Sequence, residues 1–246
     1  MNILLTNDDG INSKGILLLK NKLEKYGRIV ISAPKNHMSA KSASVTLGKG
    51  FNVEQIENDV FAVDGTPVDC VSFTCNALNI DFDLVISGCN DGFNLSYDTI
   101  YSGTVGAGLE ACRNHLPAIA FSCNSNFEIV EKYFDEVMEF ILKKKLLSKN
   151  YLLNVNFPNG EDVKGIKISS LYYRDDNYYF VKEKDGYHAY RNCQIDFSDD
   201  INSDCYLVNH SYISITPLNK TYFDRSIYNQ LIKKINMLRD KVNATK

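Results

Sequence analysis

A strong excess of either charge is missing from this chain. Its 246 residues carry 27 lysines and arginines against 30 aspartates and glutamates, a formal net charge of −3. No general electrostatic pull toward a nucleic acid duplex or an acidic membrane surface results, so any phosphate binding must be local. Long apolar runs are missing too, and the longest are strand-sized, which excludes a membrane-spanning helix. Residues 1–7 are too few for a secretory leader, lack basic residues and run directly into a strand-like pattern. The cysteines Cys70, Cys75, Cys89, Cys112, Cys123, Cys193 and Cys205 are odd in number, without Cys-x-x-Cys spacing, and several sit among apolar residues. They are expected to be free, mostly buried thiols in a reducing, cytoplasmic compartment. The histidines His37, His115, His188 and His210 form neither His-Glu-x-x-His nor a Cys/His spacing, which argues against zinc held by nitrogen and sulfur. Internal repeats and low-complexity segments are also absent.

What is present is an alternation of strand-like and helix-like segments. Ile3 to Thr6 is apolar and strand-like, Gly15 to Tyr26 has leucines at helical spacing, and Ile29 to Ala33 is β-branched before Pro34. Leu84 to Ser87 and Ala118 to Phe121 are further short strands, separated by a helical pattern from Thr104 to Asn114. A long amphipathic helix is predicted from Ile129 to Leu147. That order implies βαβ units and an α/β fold: a mostly parallel sheet flanked by helices over residues 1–150. Phe51 to Ile56 and Val60 to Val63 are expected to pair at one edge. Residues 151–246 differ in texture. Leu152 to Phe157 and Ile166 to Ser169 are strand-like, the tyrosine-rich stretch from Tyr172 to Asp200 alternates like a hairpin arm, and Tyr212 to Thr216 is a strand stopped by Pro217. Ile227, Leu231, Ile235, Leu238 and Val242 mark one face of a terminal helix. Arm and helix suit contacts between subunits, and the helix equally suits packing on the core.

The chemistry starts with Asp8 and Asp9, which follow the first strand. Carboxyl ends of parallel strands are where open α/β sheets place ligands, and two adjacent, partly desolvated carboxylates call for a proton or a cation. Read alone, Asp-Asp-Gly is a turn. Three more segments change its weight. Ala33-Pro34-Lys35-Asn36-His37-Met38-Ser39 is a polar loop after a strand. Ser87-Gly88-Cys89-Asn90-Asp91-Gly92-Phe93-Asn94 is another, and its Asn oxygens are hard neutral ligands suited to Mg²⁺ or Mn²⁺ beside two carboxylates. Ser102-Gly103-Thr104 opens a helix, where N–H groups and the dipole favour an anion. No Gly-Lys-Ser/Thr follows, so this is not a nucleoside-triphosphatase P-loop. Gly106-Ala107-Gly108-Leu109-Glu110-Ala111 matches a dinucleotide fingerprint by letters only, since no strand precedes it. A cation on the acidic pair and a phosphate over the helix N-terminus describe metal-assisted phosphoryl hydrolysis.

These segments carry a family resemblance. Leu4-Leu5-Thr6-Asn7-Asp8-Asp9-Gly10-Ile11, Ala33-Pro34 with Ser39, Gly65-Thr66-Pro67-Val68-Asp69-Cys70-Val71, Asp83 to Gly88 with Asn90, and Tyr101-Ser102-Gly103-Thr104-Val105 resemble the SurE survival-protein nucleotidases. Asn154-Val155-Asn156-Phe157-Pro158 and Ser214-Ile215-Thr216-Pro217-Leu218 extend the similarity. The resemblance implies a Rossmann-like core and one divalent cation per subunit. It implies phosphomonoester hydrolysis on nucleoside monophosphates, with 3′-nucleotides and polyphosphate as further substrates. Metal ligands map onto Asp8, Asp9, Ser39 and Asn90, and phosphate contacts onto Asn94, Ser102, Gly103 and Thr104. It further implies a homodimer or homotetramer that exchanges C-terminal elements. The chain departs from the family pattern at Ala40 and Ser96, which stand in place of Gly, and at Cys89, which replaces an apolar residue.

Three rival readings remain. A haloacid-dehalogenase-like phosphatase uses Asp-x-Asp, and Asn7 occupies the nucleophile's position here. A signalling receiver needs a lysine after a later strand, where Cys123 and Asn124 stand instead. A Mg²⁺-dependent nucleotide-binding module without turnover is the third. Cys89 with His37 as base imitates a nucleophilic pair, but a buried thiol behaves as a small apolar filler.

Overall fold

The apolar run at the N-terminus forms strand β1 (Asn2–Thr6), in which Ile3, Leu4 and Leu5 are fully buried, as in parallel sheets covered on both faces. Its alternation splits the core. Ile3 and Leu5 join the cluster under helices α1 (Lys14–Leu23) and α5 (Phe127–Lys143), while Leu4 joins the one under α2 (Pro67–Ala77) and α4 (Gly103–Arg113). The computed structural model describes residues 1–173, 177–192, 200–221 and 225–233.

Between these helices run β2 (Arg28–Pro34), β3 (Val53–Glu57), β4 (Val60–Val63), β5 (Leu84–Asp91), β6 (Ala118–Cys123), β7 (Tyr151–Asn156), β8 (Ile166–Ile168) and β11 (Ile213–Asn219). The sheet order is β3-β4-β2-β1-β5-β6-β7-β11-β8. The pairings from β4 through β7 are parallel, β3 pairs antiparallel with β4, and β11 pairs antiparallel with β7. The chain winds outward from β1 to β2 and β4, then crosses to β5 on the other side of β1. The crevice at the carboxyl ends of β1 and β5 is therefore the switch point where such sheets bind ligands. Helix starts are fixed locally. Ser13, Ser102 and Asn126 cap α1, α4 and α5, and Thr66 with Asp69 forms a capping box on α2, with Pro67 in the first turn.

Three sequence expectations are corrected. Strand β5 runs to Asp91 rather than ending at Ser87, because a bulge between Ser87 and Asn90 lets pairing with β6 resume at Ser122. Strand β11 continues through Pro217 to Asn219; β8 pairs only as far as Ile215, so Pro217 lies on an exposed edge where its missing N–H breaks no ladder. Helix α5 ends at Lys143, and Lys145 adopts φ 53, turning Leu146 and Leu147 back onto the core. The spurious fingerprint lies inside α4, where Gly106 admits the Ser42 carbonyl; a Cβ there would lie 2.4 Å from that oxygen.

The arm is an antiparallel hairpin of β9 (Asn177–Glu183) and β10 (Gly186–Asn192), with Tyr178, Tyr179, Phe180, Tyr187 and Tyr190 exposed. Helix α3 (Asp98–Tyr101) precedes α4, and α6 (Asp204–Asn209) precedes β11. Residues 225–233 are helical, with Ile227 and Leu231 exposed. Ile235, Leu238 and Val242 lie outside the described residues. Among the described residues no helix is long and apolar enough to cross a membrane.

Candidate active site

Asn7 builds the turn that presents the two aspartates. Its amide nitrogen donates to the Gly10 carbonyl at 3.0 Å and to Ser13 Oγ at 2.7 Å, and its oxygen accepts from Gly10 N–H at 3.2 Å. Gly10 itself sits at φ 103. Asn7 is fully buried and fully engaged, so it is a turn-former and offers no nucleophile in place of a phosphorylated aspartate.

Asp8 turns inward, 2% exposed, against the N-terminus of α4. The Thr104 hydroxyl donates to Asp8 Oδ1, and Gly103 lies so close that a Cβ there would stand 2.9 Å from Asp8 Cβ and 3.0 Å from Oδ2. Burial is the main force on the Asp8 carboxyl, pushing its pKa up to about 6; the Thr104 hydrogen bond opposes this and the neighbouring Asp9 adds to it. Asp9 remains slightly open. Its Oδ2 accepts from Asp91 N–H at 3.0 Å, and His37 Nδ1 lies 3.5 Å from its Oδ1. Burial again raises its pKa, against the Asp91 N–H and His37.

The β5 bulge carries Asn90 to the same edge. Its Nδ2 donates to the Gly92 carbonyl at 2.8 Å, while its buried Oδ1 has no hydrogen-bond partner. A buried amide oxygen without a donor is costly unless something positive meets it. Together with two carboxylates it forms an all-oxygen donor set fitted to a hard divalent cation. The loop after β2 is pinned beside them, since Met38 N–H donates to the Asp8 carbonyl at 2.7 Å and Ile11 N–H to the Pro34 carbonyl at 2.9 Å. Ser39 follows Met38 and is exposed.

The groups expected at the phosphate are arranged as follows. Ser102 Oγ accepts from Val105 N–H at 3.1 Å, which leaves its own proton for another acceptor. Thr104 is fully buried and spends its hydroxyl on Asp8. Asn94 is buried and held from several sides: its Nδ2 donates to Ser122 Oγ at 2.8 Å, its N–H to Asn156 Oδ1 at 2.9 Å, and its carbonyl accepts from Asn154 Nδ2 at 2.8 Å and Asn156 Nδ2 at 3.1 Å. Ser122, Asn154 and Asn156 as supports of the site are absent from the sequence reading. The readable signal was Asn-Val-Asn, which puts two amides on one face of a buried strand.

A strap from Ser42 to Thr46 closes the other side. Ser42 donates to the Tyr101 carbonyl through its N–H (2.9 Å) and to the Ile100 carbonyl through its hydroxyl (2.6 Å); Thr46 donates to Asp69 through both its N–H (2.8 Å) and its hydroxyl (2.7 Å). Burial works to raise the Asp69 pKa, but the bonds from Thr46 and Thr66 outweigh it and hold it below the ordinary value. The two positions where Gly is expected, Ala40 and Ser96, adopt φ 58 and 53, so the left-handed backbone is kept without glycine. Cys89 is fully buried and its thiol is pushed well up, first by burial, so it is no ready thiolate. A separate group, Glu183, Asp185 and His188, has ligand atoms within 4.8 Å of one another on the exposed hairpin turn, where His188 Nε2 already meets Asp185 Oδ1 at 2.8 Å.

The chain is similar to known proteins over nearly its whole length. The family model described as survival protein SurE matches residues 3–177. The 5′-nucleotidase SurE of Clostridium botulinum (strain Alaska E43 / Type E3) is 34% identical over 96% of this chain and 99% of its own. That of Haemophilus influenzae is 34% identical over 97% and 98%. The crystal structure of the SurE protein from Aquifex aeolicus superimposes with a TM-score of 0.82 at 31% identity, covering 97% of this chain and all of that one.

Proposed function

The chain belongs to the SurE family, and from that premise we propose that it is a divalent-metal-dependent phosphomonoesterase that hydrolyses nucleoside monophosphates to nucleoside and phosphate. The relatives named 5′-nucleotidase support the 5′-position as the site of cleavage; 3′-nucleotides and polyphosphate are proposed as further substrates on the family resemblance alone. The observation that carries the metal is the buried, unpartnered Oδ1 of Asn90 at the same sheet edge as Asp8 and Asp9. Asp8, Asp9, Asn90 and Ser39 hold one cation, Mg²⁺ or Mn²⁺. Bound there, it would supply Lewis-acid polarisation of a phosphoryl oxygen and would lower the pKa of the attacking water.

The chain's own residues do the rest. Thr104 and Gly103 hold the Asp8 side chain in place, so that its carboxylate would need no reorganisation to bind a cation. The Ser102 hydroxyl, the first N–H groups of α4 and the Asn94 amide orient the phosphate, with the helix dipole favouring its charge. Asp8 or Asp9 takes the proton of the water. The arm and the terminal helix, both with exposed apolar side chains, join subunits into a homodimer or homotetramer.

The test is phosphate release from nucleoside 5′- and 3′-monophosphates by chelator-stripped protein, repeated with Mg²⁺, Mn²⁺ and Ca²⁺. Multiple turnovers that depend on added metal are expected. Tight nucleotide binding without release under any metal would replace this reading by that of a binding module.

A further inference from the structure

We propose that Asp204 is a positioning residue for phosphate binding: its carboxylate holds the loop that presents Asn94. The proposal rests on the reading of Asn94 as a phosphate contact. Asp204 is fully buried, and among the described residues its carboxylate is met by three backbone N–H groups and by the Cys205 thiol. Its Oδ2 accepts from Ser96 N–H at 2.9 Å, and its Oδ1 accepts from Tyr172 N–H at 3.0 Å and from Cys205 N–H at 2.8 Å. Three separate pieces of chain meet on one side chain: the loop after β5, the root of the arm and the first turn of α6.

Ser96 lies two residues beyond Asn94 and adopts φ 53, a left-handed conformation that a residue with a Cβ keeps only where its surroundings hold it. The Asp204 bond to its N–H is such a hold. On the far side, Asn154 and Asn156 grip the backbone of Asn94 itself. The loop is thus clamped at 94 by neutral amides and at 96 by a charge-assisted bond, the stronger kind. Leu95, between the two, packs with Cys205 and Val208 of α6, so the same helix supplies both the apolar and the ionic contact.

The chemistry of the carboxylate makes the test selective. Asp204→Asn keeps one oxygen, which two donors compete to hold at the Oδ1 position, and turns an NH₂ toward Ser96 N–H. The Ser96 bond is lost while α6 and the arm root keep theirs. With inorganic phosphate as the probe, Asp204→Asn is expected to raise the phosphate inhibition constant and lower kcat/KM each by about 10-fold to 100-fold, the scale of a displaced contact near 1 Å. Mn²⁺ affinity, measured by calorimetry, stays within about 2-fold, since the acidic pair is untouched. The decisive measurement is the double variant. Asn94→Ala with Asp204→Asn is expected to be no worse than Asn94→Ala alone, because Asp204 acts through Asn94.

A full multiplication of the two losses, or an unchanged phosphate constant in Asp204→Asn, overturns the positioning role while leaving the Asn94 contact standing. Wild-type activity and phosphate inhibition in Asn94→Ala would overturn the Asn94 reading itself, and this proposal with it. Asp204→Ala, which frees all three N–H groups, is compared only for its melting temperature.

Discussion

Replacing Asp8 by asparagine separates two effects that the carboxylate combines. In metal-free protein the folded chain binds the Asp8 proton more tightly than the unfolded chain does, with a pKa of about 6 against 3.8. Stability contributed by this group is therefore fully present below the unfolded value and is lost as pH rises through about 6. A gap of about 2 pKa units corresponds to roughly 3 kcal/mol, at ~1.4 kcal/mol per unit. The Asp8→Asn side chain keeps an oxygen for the Thr104 hydroxyl and carries no charge. With a chelator present at about pH 7, the variant is expected to be more stable than the wild type by up to ~3 kcal/mol. For a chain of this size that is a rise in Tm of up to roughly 6–12 °C. Well below the unfolded value of 3.8 the difference should vanish, because Asp8 is then protonated in the folded and the unfolded chain alike. Denaturation of both proteins across that pH range, each in chelator and in Mn²⁺, makes the comparison, since titrations common to both cancel. Added Mn²⁺ should reverse the order, stabilising the wild type by mass action and leaving the variant unchanged. A variant that is less stable than wild type in chelator at neutral pH, or that is stabilised equally by Mn²⁺, refutes the buried-carboxylate argument.

Gly103→Ala puts a Cβ 2.9 Å from Asp8 Cβ and should reduce kcat/KM by about 100-fold by displacing that carboxylate; activity within about threefold of wild type would contradict it. Asn90→Ala removes the unpartnered oxygen and should weaken Mn²⁺ binding by roughly 10-fold to 100-fold in calorimetry, with no change expected if that oxygen faces nothing. Cys89→Ala should keep turnover within about twofold, whereas a loss above about 10-fold would revive a thiol nucleophile. Asp69→Asn should destabilise the fold by about 1–2 kcal/mol through the α2 cap and the strap. Because the Asp69 pKa is lowered, that difference is present above its unfolded value and should shrink in melts as pH falls through the folded one.

The alternation of apolar runs and helical spacing determined the α/β class, the pairing of β3 with β4, and the hairpin arm, because period and turn residues are local properties of a chain. It also placed Asp8, Asp9 and Asn94 after strands, where the topology gathers loops at one edge, whereas Asn90 lies inside β5 and the Ser102 turn follows α3. Strand ends were less legible: a bulge after Ser87 and the unpaired edge at Pro217 depend on what lies next door, which one strand does not encode. The roles within the site belong to tertiary structure alone. Thr104 reaches Asp8 across 96 positions, Asn156 reaches Asn94 across 62, and Asp204 reaches Ser96 across 108. No pattern of spacing links such residues. Only the folded sheet brings Asp8 against a helix N-terminus, takes the acidic pair of Asp8 and Asp9 from water and raises both pKa values, and that burial is the cost that the proposed cation would offset.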